Sequence, residues 1–167
     1  MQSDRRRLLD KLLRELVRSE QQAMDHAPRE ARRLGEVPPV QALREVADHA
    51  VALRPRFHQM IDGHNLTSAK QGVAATLTAL RQLVSERIQD PERAYRGALL
   101  ELRHGLDVVR VLRDVARLEE LFALIRWCDD YLGARRTLVA RVEAQLAWFA
   151  EQPTQPAAPE SGETRGT

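Results

Sequence analysis

The sequence predicts an all-α protein built as a four-helix bundle, on three observations. Glycine and proline are few, eight each in 167 residues, and most of them fall between or beyond long uninterrupted segments. Aromatic residues are only 4% of the chain, so aliphatic side chains must fill a core. Four long segments carry apolar residues at alternating spacings of three and four, which puts them on one face of a helix.

The first segment predicts a helix from about Asp4 to Leu34, with Ser3 or Asp4 as its cap. Its stripe is Leu9, Leu13, Leu16, Glu20, Ala23 and Ala27. Pro28 lies inside it, and an internal proline removes one backbone bond and should kink or break a helix. Gly35 closes the segment and Pro38-Pro39 enforces a turn. The second helix is predicted over about Val40–Ile61, with stripe Leu43, Ala47, Ala50, Arg54, Phe57 and Ile61. Pro55 predicts another kink.

After the loop signal "DGHNLTS", residues 65 to 90 read as a long crossover carrying an additional helix, with Val73, Leu77, Leu80 and Val84 on one face. Asp90-Pro91 marks the next start. The third helix carries Tyr95, Leu99, Leu102, Leu106 and Val109. No glycine or proline separates Gly105 from Gly133, yet one helix from 91 to 151 would be about 90 Å long. A compact domain cannot use that length, so a turn is placed near Ala116-Arg117-Leu118. The fourth helix then runs to about Glu151 with Leu121, Leu124, Cys128, Tyr131, Arg135, Leu138, Val142 and Phe149 on its stripe. Residues 1–151 are thus one domain. Residues 152–167, "QPTQPAAPESGETRGT", offer no apolar anchor and predict a disordered tail.

Charge narrows the function classes. Net charge is +2 with the signs interspersed, and Lys11 and Lys70 are the only lysines beside many arginines. So weak a field argues against an obligate nucleic-acid binder. Cys128 is the only cysteine, which excludes an intrachain disulfide and fits a reducing cytoplasm. The N-terminus lacks the apolar core and cleavage site of a signal peptide, and no apolar run approaches a membrane span, so neither export nor a membrane partner is expected.

One stretch points to specific chemistry. "LLELRHGLDVV", Leu99 to Val109, places Glu101 and His104 three apart on a helix, and Glu-x-x-His is half of a di-iron carboxylate motif. "LLRELVRSEQQAM" is similar to a first helix of the form L-x-x-E-L-x-x-x-x-x-A-E-x-Q, "LREVADHA" to the start of a second, and "ALLELRHGLD" to a third after a long connection. On these motifs the chain resembles the ferritin-like Yci-type bacterial stress proteins. The resemblance implies a ferritin-like bundle with a crossover between helices two and three, and it sets Glu20 at a glutamate-ligand position.

Where that family places its other ligands, this chain departs from it. Residues 50–56, Ala50 to Arg56, hold neither acid nor histidine. Around His104 stand Arg103 and Gly105, and the fourth-helix position is Ala134-Arg135-Arg136-Thr137. A di-iron site needs about four carboxylates and two histidines converging. The expectation is therefore a degenerate member with the di-metal site lost, no cofactor and no enzymatic activity; any metal that did bind would use Glu20, Glu101 and His104. Glu20, Arg54 and Arg135 lie on apolar stripes, where a lone charge costs several kcal/mol. A remnant-site ion pair between Glu20 and at least one of these arginines is expected, with helix four closing against helix one.

Other candidates read as structural. His26, His49, His58, His64 and His104 form no paired ligand motif, although His58, Asp62 and His64 flank a loop. Cys128 sits on a core stripe without a histidine–acid pair. Arg5 to Arg7, Arg32-Arg33 and Arg135-Arg136 can contact phosphate but have acids nearby. The expected function is a non-catalytic bundle acting through protein–protein contacts, as a homo-oligomer or a subunit of an assembly. The alternatives are a metal-binding stress protein or oxidase with a degenerate site, and an arginine-rich nucleic-acid adaptor.

Overall fold

The computed structural model describes residues 2–63 and 90–153, and these form an all-α four-helix bundle with no strand among them. The long helices are α1 (Gln2–Leu34), α2 (Pro38–Gly63), α3 (Pro91–Leu118) and α4 (Phe122–Ala144), followed by a short α5 (Leu146–Glu151). The expected crossover helix and, from residue 154 on, the expected disordered tail 152–167 lie outside the described residues.

Helices α1 and α2 run unbroken through Pro28 and Pro55. Each proline removes one ladder bond, and the buried residues on either side, Ala27 and Glu30 in α1 and Ala50 and Phe57 in α2, keep the flanking turns packed. Gly35 ends α1 at φ +75°, a conformation glycine adopts without strain, and its N–H returns to Ala31 O at 2.9 Å. Pro38 and Pro39 are the first residues of α2 rather than a turn before it; proline tolerates the first helical turn because those N–H groups have no intrahelical acceptor. Pro91 opens α3 in the same way, but the Asp90 side chain makes no capping bond.

The α3–α4 turn is built without glycine or proline. Glu119 to Leu121 separate the helices, and Glu120 takes φ 56°. The Leu121 N–H bonds Ala116 O at 2.9 Å and the Glu120 N–H bonds Arg117 O at 3.3 Å. This is a Schellman closure with glutamate at the left-handed position. The fourth helix also stops short of Glu151: α4 ends at Ala144, and α5 is tied back by Phe149 on Tyr95, with ring centroids 5.1 Å apart.

Around the bundle, α1 packs against α2 and α3, and α4 packs against α2 and α3. Helix four is therefore diagonal to helix one, not closed against it as expected. Arg5–Glu119 and His26–Glu101 show α1 antiparallel to α3, and Arg56–Asp130 and Arg141–Glu45 show α2 antiparallel to α4. All ring neighbours are antiparallel, which leaves α2 and α3 parallel on the other diagonal. Gly63 and Pro91 accordingly lie at opposite ends, separated by the roughly 35 Å length of α4.

The core is aliphatic. Leu9, Leu13, Leu16, Leu43, Val46, Leu99, Leu102, Leu112, Leu124 and Leu132 are all buried. All five residues of the expected α3 stripe are buried. The α2 stripe is not the expected one, because the helix passes from Leu43 to Ala50 through fully buried Val46 rather than half-buried Ala47, and from Ala50 to Phe57 through partly buried Leu53 rather than through Arg54, which is exposed. Steps of three then four, and of four then three, both connect Ala50 to Phe57, and the apolar side chain takes the inner position.

Candidate functional site

A polar cluster interrupts this core midway along the bundle. Glu20 reaches it from α1, one turn past Leu16; Arg135 and Tyr131 come from α4, four residues apart and so on one face; His49 comes from α2. Arg135 Nη2 donates to Glu20 Oε2 at 2.7 Å, and the Tyr131 hydroxyl donates to Glu20 Oε1 at 2.8 Å. Arg135 Nε donates to His49 Nδ1 at 3.1 Å. The guanidinium carbon lies 4.8 Å from the Tyr131 ring centroid. Arg135 is 1% exposed, the largest fully buried side chain described.

Each group is matched to its neighbour. A planar guanidinium offers donors in two directions, which is how one cation spans a carboxylate on α1 and an imidazole on α2. Accepting at Nδ1 leaves the His49 proton on Nε2 and the ring neutral. Burial, and then the adjacent Arg135 charge, push the His49 pKa down to about 4. Burial first, with the Glu20 carboxylate adding to it, raises the Tyr131 hydroxyl well above the ordinary phenol range. Tyr131 is therefore a donor and not an anion at neutral pH. Trp127 stacks on Tyr131 at 5.2 Å and Phe57 on Trp127 at 5.0 Å, so an aromatic wall closes one side.

The cluster also marks a close approach of α1 and α3. A Cβ built on Gly105 would stand 2.5 Å from Ser19 Oγ and 3.7 Å from the Tyr131 hydroxyl. Ser19 precedes Glu20, so the small residue at 105 lets α3 come up beside the turn that delivers the carboxylate.

The structure brings Glu20 and Arg135 together and leaves Arg54 out. Arg54 is exposed on α2 because Leu53 occupies the inward position, so its expected part in the pair is corrected. Glu101 and His104 do not converge. His104 is exposed, while Glu101 turns toward α1, where its Oε2 lies 3.1 Å from Nε2 of buried His26. His26 beside it holds the Glu101 carboxyl below its ordinary range, against the upward pull of burial. The Glu20, Glu101 and His104 ligand set is thus dispersed, with Glu20 bound to Arg135 and Glu101 set beside His26. Among the described residues no three His, Cys, Asp or Glu side chains are grouped to hold a metal ion.

Two residues of this interior escape the sequence patterns: His49 and His26. Each lies one position from an apolar one, His49 before Ala50 and His26 before Ala27, which places it at the edge of the stripe and against a neighbouring helix. Cys128 is fully buried, and burial pushes its thiol up to about 12, so it is no nucleophile at neutral pH. His58 is half-buried beside Phe57, while His64 lies outside the described residues. Arg136, Arg6 and Arg7 are exposed, and several other surface arginines join helices in pairs such as Arg103–Glu143 and Arg113–Asp129.

No family model, curated protein or solved structure matches the chain. What the interior can do chemically follows from its own geometry. Both Glu20 oxygens are engaged, one by Arg135 and one by the Tyr131 hydroxyl, and Arg135 is further spent on His49; among the described residues no activated nucleophile faces the group.

Proposed function

We propose that this protein is a non-enzymatic ferritin-like helical bundle that acts through protein–protein contacts, with an internal ion pair where the family it resembles holds metal. The observation that carries this is the Arg135 guanidinium on Glu20, at 1% exposure. A fixed cation already supplies the counter-charge that a metal would bring to this carboxylate, and it would repel an incoming one. Arg135 lies in the fourth-helix region where the resemblance sets a ligand, so charge replacement rather than plain loss describes the change.

The outside of the bundle supports a surface role. Leu118 and Phe122 are 62% and 70% exposed. Phe122 and Leu118 flank the α3–α4 turn, at the end of the bundle where α2 also finishes. Large apolar groups exposed together mark interaction surfaces more often than scattered ones do.

Two measurements test the proposal. Protein purified from iron-supplemented cells should carry no stoichiometric iron or manganese by elemental analysis; two metal ions per chain would overturn it. Light scattering after size exclusion should show an assembly larger than one chain, or a retained partner, that is lost in Leu118→Ser/Phe122→Ser. An unassociated wild-type chain whose behaviour that double variant leaves unchanged would remove the surface role.

A further inference from the structure

His49 ties α2 to the interior ion pair through a single hydrogen bond, from Arg135 Nε to Nδ1 at 3.1 Å. That bond needs a lone pair on the imidazole. A proton on Nδ1 converts the acceptor into a donor and sets a second cation against a guanidinium that water does not reach.

Among the described residues the surroundings offer no answering charge. From α1, both Glu20 oxygens are engaged, by Arg135 and by Tyr131. From α4, Arg135 is itself the like charge, and Tyr131 presents a neutral ring 6.0 Å from the imidazole, centroid to centroid. On α2, Asp48 is exposed, and Glu45 is drawn off by Arg141 at 2.6 Å. Helix α3, diagonal to α2, places Gly105 at the cluster and keeps His104 outside. His49 itself is only half-buried, so a proton can arrive from solvent although the cluster behind it is closed.

We propose that His49 is a proton-operated latch: neutral, it holds α2 onto the Glu20–Arg135 pair, and protonated, it releases α2 from it. The function is a conformational one, an acid-sensitive loosening of one helix against the other three, and it stands whether or not the bundle acts through surface partners. The direction of the titration agrees. Burial and the Arg135 charge lower the folded-state pKa from 6.5 to about 4, so folding excludes a proton that the unfolded chain accepts. Stability linked to His49 is complete above about pH 6.5 and is lost as the pH falls toward 4.

The test compares wild type with H49N, whose amide oxygen can stand near the place of Nδ1 and accept from Arg135 without titrating. Urea unfolding is followed at about pH 7.5 and about pH 5; H49N keeps Glu20, so any titration of that carboxylate is common to both proteins and cancels in the comparison. Between the two pH values the unfolded-to-folded ratio of wild type should rise by on the order of tenfold more than that of H49N, after allowance for partial exposure. An excess below about twofold would overturn the latch. Should H49N fail to fold, nitrogen chemical shifts of His49 in the wild-type protein decide. The proposal requires a neutral ring protonated on Nε2 at about pH 5.5, with faster exchange of α2 amides near Val46 and Ala50 as the ring titrates. A ring already cationic at that pH, or one that titrates with no change at those amides, refutes it.

Discussion

The interior ion pair should be strongly coupled, and a double-mutant cycle measures that coupling. Arg135→Met keeps the aliphatic stem and removes the guanidinium. Glu20 is then left with one donor, the Tyr131 hydroxyl, in a site where its side chain is 15% exposed. Stranding one member of a buried pair costs about 3–5 kcal/mol, and the small opening beside Glu20 sets the loss near the lower end, about 3 kcal/mol. Glu20→Ala is the harsher change. It leaves a guanidinium at 1% exposure with only His49 as partner, and it also strips the acceptor from Tyr131, a group that costs about 1–3 kcal/mol when buried unpaired. Its loss is set at about 4 kcal/mol.

The double variant has no stranded charge. Its cost is the loss of packing and the orphaned tyrosine hydroxyl, about 3–4 kcal/mol in total, so the two single losses together exceed it by roughly 3–4 kcal/mol. Chemical denaturation followed by helical circular dichroism reads these values. In a chain of this size the single variants should melt roughly 6–15 °C lower than wild type. Additivity within about 0.5 kcal/mol would refute the reasoning and would mean that water screens the pair. Arg54→Met is the internal control. That side chain is exposed, and its substitution should stay within about 0.5 kcal/mol of wild type.

Two further outcomes follow from the helix contacts. Glu120→Gly relieves a left-handed glutamate in the α3–α4 turn and should raise stability by about 1 kcal/mol in urea unfolding, a result that no gain would contradict. Gly105→Ala should gain little alone, because the new Cβ meets Ser19 Oγ at 2.5 Å. In a Ser19→Ala background it should gain up to about 1 kcal/mol from helix propensity, since the remaining Ser19 Cβ contact of 3.7 Å is an ordinary one; equal effects in both backgrounds would show that the hydroxyl is not the obstacle.

How much of this was legible in the sequence depends on whether a residue's neighbours or only its own helix decide its place. The α3 stripe was fully legible, because Tyr95, Leu99, Leu102, Leu106 and Val109 are all apolar and only one face can bury them. The α2 stripe was legible except at two steps, where Val46 and Ala47, and then Leu53 and Arg54, both satisfy the spacing. The α3–α4 turn was legible as a necessity of length but not as a motif, since its left-handed residue is a glutamate, and it falls at Glu119–Leu121, just past the expected Ala116-Arg117-Leu118, which remain the last turn of α3. The ring order was hidden, because it depends on α2 and α3 running parallel and so on where a connection between opposite ends delivers the chain.

The same distinction governs the interior charges. Glu20 and Arg135 each break an apolar stripe, and a charge on a stripe must find a counter-charge somewhere in the core. That reasoning names the pair but cannot choose between Arg54 and Arg135, whose patterns are alike. The choice is made by the partners that share Arg135: Tyr131 one turn earlier on the same face, which both stacks on the guanidinium and bonds Glu20, and His49 across the α2–α4 interface. Arg54 has Leu53 competing for its inward position and Pro55 behind it, and the polar side chain that α2 does send inside, His49, is already bonded to Arg135. A buried charge is therefore better located by asking which candidate comes with its own polar company at helical spacing than by asking which lies on the stripe. In this chain, Tyr131 four residues before Arg135 is that company.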